Sequence, residues 1–191
     1  MSIITLFDPW KGKFCSCPQK YSLSAYTGCG HGCLYCYASS YIRNFSLARP
    51  KKDFLKRLGN DLKKLPVNSI VTISNSSDPY QPLDKQLKLT QSALNVLKNF
   101  YLHINIVTKS ALIVRDLEIL KEIRKLVISF SFNTLSESLA KRLEPNCSSP
   151  WQRLKAIEKL CRNFAVACRF DPLIHPLNTR EIKEIIKVLK L

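Results

Sequence analysis

Residues 26–37 read Tyr26-Thr27-Gly28-Cys29-Gly30-His31-Gly32-Cys33-Leu34-Tyr35-Cys36-Tyr37. The stretch sets Cys29, Cys33 and Cys36 at C-x3-C-x2-C spacing, interleaved with Gly28, Gly30 and Gly32. Glycine has no Cβ, so such a loop winds tightly around a compact inorganic group, and thiolates on it converge on an iron–sulfur cluster. Three local thiolates leave one iron of a 4Fe-4S cluster open to a small molecule. A structural zinc site wants four ligands, usually in two separated C-x2-4-C pairs, and no matching second pair occurs in the sequence. The C-x2-C-x2-C-x3-C run of a ferredoxin is absent as well. A zinc or four-thiolate site that recruits Cys15 or Cys17 stays open as the alternative, although a C-x-C pair is more simply two incidental thiols.

Outward from the loop, the pattern alternates strands and helices. Residues 1–20 carry Pro9, Gly12 and Pro18 without a sustained period and read as an irregular leader; residues 21–191 form the core domain. Tyr21–Tyr26 reads as a strand that feeds the cysteine loop, and Leu34–Arg43 as a helix leaving it. Lys51–Leu65 is helical with Phe54, Leu55, Leu58, Leu62 and Leu65 on one side, and Pro66 ends it. Strand Ser69–Ser74, helix Thr90–Phe100, strand His103–Thr108, helix Val114–Arg124 and strand Leu126–Phe132 follow. A T-x-x-E box at Thr134 and Glu137 opens a short helix, and Ser149 with Pro150 opens a longer one whose stripe is Leu154, Ile157, Cys161 and Phe164. Strand Ala165–Phe170 and helix Thr179–Leu191, capped by Asn178 and Glu181 with Ile182, Ile185, Ile186 and Leu189 inward, complete the set. Repeated strand-then-helix units at this spacing imply right-handed crossovers and an α/β architecture, a parallel sheet curled into a partial barrel of about five to six βα units. Chemistry in such folds sits on loops after the strands, which is where the polar motifs of this chain fall.

The cysteine loop resembles the cluster motif of the radical S-adenosylmethionine (SAM) superfamily. With Tyr35 and Tyr37 around the last cysteine, it is similar to the spore photoproduct lyase and DNA repair photolyase-like branch. Ser77-Asp-Pro-Tyr-Gln-Pro-Leu83, Thr108-Lys-Ser110, Arg115-Asp116, Leu143-Glu-Pro145 and Asp171-Pro-Leu-Ile-His-Pro-Leu-Asn178 resemble later motifs of that branch in the same order. The resemblance implies a radical SAM (β/α) partial barrel whose usual sixth unit is missing from residues 21–191. It implies a 4Fe-4S cluster on Cys29, Cys33 and Cys36, SAM as the second cofactor, and an electron donor such as ferredoxin or flavodoxin. By the same resemblance Ser76, Ser77 and Asp78 face the methionine amine, Lys109 its carboxylate, and Ser129, Ser131 and Asn133 the ribose hydroxyls. Tyr35 and Tyr37 become candidates for adenine stacking or hydrogen-atom relay, His31 for a hydrogen bond to the cluster, and Asp171 and His175 for substrate contact. Spore photoproduct lyases carry a hydrogen-donating cysteine where this chain has Ser74-Asn-Ser-Ser77, so thymine-dimer lyase activity is not expected.

Composition narrows the partners. The 191 residues, 46% of them hydrophobic, suffice for one buried core. The formal charge is +16, from 30 basic and 14 acidic residues, with a concentration between Arg43 and Lys64. That charge attracts polyanions, which makes nucleic acid the first partner to consider, and the resemblance to the DNA repair branch implies DNA above all. Eight cysteines without a secretory N-terminus point to reduced thiols and a cytoplasmic location, with Cys147, Cys161 and Cys168 as small buried hydrophobes. No apolar run is long enough to cross a membrane. The function expected is reductive SAM cleavage acting on nucleic acid. Radical modification of a protein or small molecule, or a non-catalytic iron–sulfur or zinc nucleic-acid-binding protein, are the alternatives.

Overall fold

The computed structural model describes residues 2–7 and 18–189. Cys15 and Cys17, the alternative cluster ligands, lie outside the described residues. A six-stranded sheet runs in the order β1 (Ile4–Phe7), β2 (Lys20–Leu23), β5 (Ile70–Ile73), β6 (His103–Thr108), β7 (Lys125–Ser131), β8 (Ala165–Arg169). Strands β2, β5, β6, β7 and β8 are parallel, as the repeated units predict, and β1 joins β2 antiparallel. Two short strands, β3 (Tyr26–Thr27) and β4 (Arg49–Pro50), bracket the cysteine loop as a separate antiparallel pair.

The helices pack on one face of the sheet. Helices α1 (Phe54–Leu62), α3 (Leu89–Leu97, just after the one-turn α2, Asp84–Leu87), α4 (Leu117–Lys121), α6 (Pro150–Cys161) and α7 (Ile182–Leu189) each turn apolar side chains toward it. There they meet Val71, Ile73, Ile104, Ile106, Ile128 and Phe130, all buried in one core cluster. Side chains alternate along a strand, so the intervening residues point to the other face. In register across that face lie Ser22, Thr72, Asn105, Val127 and Ala165. Val107, Ser129 and Ala167 form the next row. Bulky branched residues fill the interior of a closed (β/α)8 barrel. Here the inner rows are small and polar, and a cavity of about 750 Å³ remains.

Several local readings need correction. The leader is not wholly irregular, because Ile4–Phe7 adds a strand whose entry is held by Asp61, which accepts from the backbone N–H groups of Ile3 and Ile4 and from the Ser2 hydroxyl. The helix read over Leu34–Arg43 is a single 3-10 turn, Tyr37–Ser40, preceded by an extended Cys36, because the Leu34 N–H of the cysteine loop is spent on Leu143 C=O. The cap of α5 (Glu137–Leu143) is Ser136, not Thr134. Thr134 instead donates to Glu181, whose carboxylate also accepts the Leu135 N–H. Glu181 is therefore spent on a tertiary contact, and Asn178, fully buried, ties the preceding loop to itself through Ile174 N–H and Pro172 C=O. Ser149 caps α6 with Pro150 at its first turn, as read, and Gln152 completes a capping box that the reading did not include. On that helix Cys161 is exposed while Arg153 is 2% exposed; Leu55 and Ile186 also face solvent.

Candidate active site

The cysteine loop hangs between β3 and β4 and is shaped by its glycines. Gly28 adopts φ +76°, and a Cβ there would stand 2.4 Å from the Phe45 carbonyl oxygen, which accepts the Cys29 N–H at 2.8 Å. Only glycine fits both constraints. A second clamp joins the loop to residues 143–147. Leu34 N–H donates to Leu143 C=O, Asn146 N–H to His31 C=O, and the Asn146 side chain to Gly30 C=O. Gln81 closes the third side, accepting from Gly30 N–H and donating to Gly28 C=O.

Cys29, Cys33 and Cys36 all line the 750 Å³ cavity, together with His31, Tyr35, Tyr37, Ser76, Ser77, Asp78, Lys109 and Ser131. The sequence thus brings most of its predicted site residues to one place. Ser129 and Asn133 stand one step behind the wall, Ser129 donating to Asn105 and Asn133 to the Tyr35 hydroxyl. Asp171 reaches the rim, paired with Arg169; His175 is exposed beside Thr179 and is not part of the wall.

Asp78 is the hub of the strand ends. Its carboxylate accepts from Tyr80 N–H, Thr108 hydroxyl and Lys109 N–H at 2.7–2.9 Å, and His31 Nδ1 lies 3.6 Å away. Those bonds fix where Lys109 leaves β6 and place its ammonium 5.7 Å from the Tyr35 ring centroid. Ser77 is similarly engaged, bonded to the Ser24 hydroxyl. Burial pushes the pKa of His31 down, outweighing the Asp78 charge, so the ring is neutral. Burial and then the Asp78 carboxylate push the Cys29 thiol up to about 12. The hydrogen bond with Cys147 draws the Cys33 thiol down, against burial.

Over the cavity, Tyr35 donates to Glu144, and Glu144 is paired with Arg153, whose other groups donate to the carbonyls of Ser131 and Ser148. Arg153 and Glu144 are both almost fully buried. A guanidinium in such a place is tolerated because every side of it meets an acceptor. Burial first, and then the Glu144 charge, raise the Tyr35 phenol far above its ordinary value, so it stays protonated. Sequence reasoning missed Arg153, Thr72, Asn105 and Arg169. A period-two reading of the strands carried the signal for the last three, since each is a polar residue on the face opposite the apolar run.

The thiols suit a cluster better than a single ion. Among the described residues no three His, Cys, Asp or Glu side chains group closely enough to hold one metal ion. A cubane spreads its thiolates over separate irons, and three cysteines arranged around a shared cavity satisfy that demand.

The model of the Radical SAM superfamily matches residues 23–189. An uncharacterised protein of Methanocaldococcus jannaschii is 29% identical over 148 residues, 75% of this chain and 56% of that protein. An uncharacterised protein of Acidianus two-tailed virus is 28% identical over 188 residues, 88% of this chain and 61% of its own length. The chain therefore spans a little over half of these relatives. Among solved structures, spore photoproduct lyase complexed with dinucleoside spore photoproduct superposes with TM-score 0.72 at 19% identity, over 89% of this chain and 52% of that one. A cobalamin-dependent S-adenosylmethionine radical enzyme gives TM-score 0.56 at 15% identity, over 89% and 26%. At these identities the likeness is one of fold.

Proposed function

The chain belongs to the radical SAM superfamily, whose cofactors are a 4Fe-4S cluster and SAM, and we propose that within it the protein cleaves SAM reductively to act on nucleic acid, with DNA favoured. The observation that carries this reading is the opening of Cys29, Cys33 and Cys36 onto one cavity whose wall also holds the Ser76, Ser77 and Ser131 hydroxyls, Lys109 and the half-buried Tyr35. Cys29, Cys33 and Cys36 would hold the cluster, with one iron left for SAM. When bound, this pair of cofactors supplies one electron to the sulfonium, releasing methionine and a 5′-deoxyadenosyl radical able to take hydrogen from a substrate.

The protein's own contribution is binding and exclusion of water. Lys109, aimed by the bond from its backbone to Asp78, offers a cation for the methionine carboxylate. Ser76 on the cavity wall offers a hydroxyl to the amine, while Ser77 and Asp78 hold the loop that presents it. Ser131, with Ser129 and Asn133 behind it, serves the ribose. Tyr35, locked by Glu144, and Tyr37, whose hydroxyl donates to Asn75 C=O, offer rings to the adenine side. Lys20 and Arg169 at the cavity offer cations to phosphates, and exposed Arg43, Lys52, Lys56, Lys63 and Lys64 add to the cationic surface that attracts a polyanion. Ferredoxin or flavodoxin suits the need for an electron donor, and the cytoplasm suits reduced thiols. No helix among the described residues is long and apolar enough to cross a membrane.

Repair of the spore photoproduct is not proposed. Cys168 pairs with Phe130 on β7 and packs with the outer core, so it cannot reach the cavity to replace the missing thiol at Ser74–Ser77. The test is anaerobic reconstitution with iron and sulfide, followed by SAM turnover with duplex DNA, RNA or neither. Release of 5′-deoxyadenosine, accelerated by nucleic acid and weakened by salt, is expected. No 5′-deoxyadenosine under any condition overturns the reading, and turnover indifferent to both nucleic acids moves the substrate to a protein or small molecule.

A further inference from the structure

Cys147 belongs to none of the motifs above, yet its sulfur lies 3.8 Å from that of Cys33. The approach is built into the backbone. Cys147 N–H donates to Glu144 C=O, so the thiol sits at the end of the same turn whose Leu143 and Asn146 are hydrogen-bonded to the cysteine loop on either side of Cys33. Gly32 packs under Pro145, where a Cβ would come 3.3 Å from the proline ring, and this close approach brings the two segments together. Both thiols are free and half-buried, and Cys33 lines the open cavity, through which a small oxidant gains access.

We infer that Cys33 and Cys147 are a dithiol–disulfide pair that, in the cluster-free protein, withdraws Cys33 from cluster binding. The sulfurs need a further approach of roughly 2 Å to bond, which side-chain rotation within a clamped pair of loops supplies. The oxidant is a small disulfide. The Cys33 thiolate attacks one of its sulfurs and releases one small thiolate; the Cys147 thiolate then attacks the Cys33 sulfur of the mixed disulfide and releases the second. Two protein thiols lose two electrons and two protons, and one small disulfide becomes two small thiols. With Cys33 tied up, Cys29 and Cys36 alone cannot hold the cluster, and a reductant restores the third ligand. The first half of this inference stands on the sulfur contact itself, and its consequence for loading rests on the function proposed above.

The experiment treats the metal-free protein of residues 1–191 anaerobically with glutathione disulfide and maps its peptides without reduction. The expected product is a linked peptide containing Cys33 and Cys147, lost on addition of dithiothreitol. Iron and sulfide uptake by the oxidised protein should be at least several-fold below that of the same sample after reduction. C147S should load as well as the wild type when reduced and give no linked peptide. Linkage of Cys33 to Cys29 or Cys36, or a glutathione adduct on Cys33 of the wild type in place of the link, overturns the inference. Failure of reduced C147S to load also overturns it, because Cys147 would then be a ligand. If the link forms but the reduced wild type takes up no iron, the disulfide stands and the cluster assignment falls.

Discussion

The two faces of the sheet obey different rules, although they are made by alternate residues of the same strands. On the helix side Val71, Ile104, Ile106, Ile128 and Phe130 are at most 2% exposed and supply the burial that holds the domain together. On the cavity side the residues that alternate with them, Ser22, Thr72, Asn105 and Val127, are in register with one another, and two polar groups on this side are left wanting partners. The Thr72 hydroxyl and the Asn75 amide nitrogen are buried with no hydrogen bond among the described residues. Such groups lower stability and are retained where a ligand will meet them. One face of the sheet is therefore optimised for folding and the other for occupancy.

Substitutions across the two faces sharpen this contrast. Phe130→Ala should cost about 3–5 kcal/mol in chemical denaturation, since it empties the middle of the outer core. A loss below about 1 kcal/mol would mean that the outer face is not the main source of stability. Glu144→Gln should cost about 3 kcal/mol, because it leaves the Arg153 charge buried without its counter-charge. It should also replace a charged acceptor of the Tyr35 hydroxyl by a neutral one, so a tyrosine fluorescence change is expected together with the stability loss. Thr72→Val on the inner face should be neutral or stabilising by about 1 kcal/mol, having removed an unpartnered hydroxyl at nearly constant volume. A destabilisation as large as that of Phe130→Ala would erase the distinction.

The smallest effect belongs to the sheet edge. Burial favours the neutral form of Asp61, but hydrogen bonds from Ile4, Ser2 and Ile3 outweigh it and hold the carboxyl below its usual value. A depressed folded pKa means that the bonus is present above the unfolded value and is lost as pH falls through the folded one. Amide exchange at Ile3 and Ile4 should therefore quicken selectively below about pH 4, and in Asp61→Asn at all pH values.

Reading the chain alone reached far, for reasons that can be located. The parallel strands were legible because they are short apolar or alternating runs, β-branched in β5 and β6, set between helical patterns, and α6 because its Ser149 cap and Pro150 are adjacent in the chain. The cluster loop was legible because its three cysteines and its glycines lie within one short segment. Where the decisive partner is remote in sequence, the reading failed. Thr134 looks like a cap until Glu181 arrives, and Leu34–Arg43 looks helical until residues 143–147 and Phe45 hold its start in a loop. Arg153 carries the charge of a surface residue and is buried only because Glu144 and two carbonyls surround it.

What the sequence by itself determined is whatever local spacing encodes: the cysteine loop, the order of strands and helices, and the family to which they belong. What only the tertiary structure decided is which polar side chains share a cavity. The placing of Cys147 against Cys33 across 114 residues leaves no periodic trace in the chain, and although alternation marks Thr72 and Asn105 as sharing a face with other polar residues, only the sheet sets one beside the other. Both arise from crossovers that bring distant segments side by side, and a contact of that kind exists only once the outer face has collapsed and fixed the register of the strands.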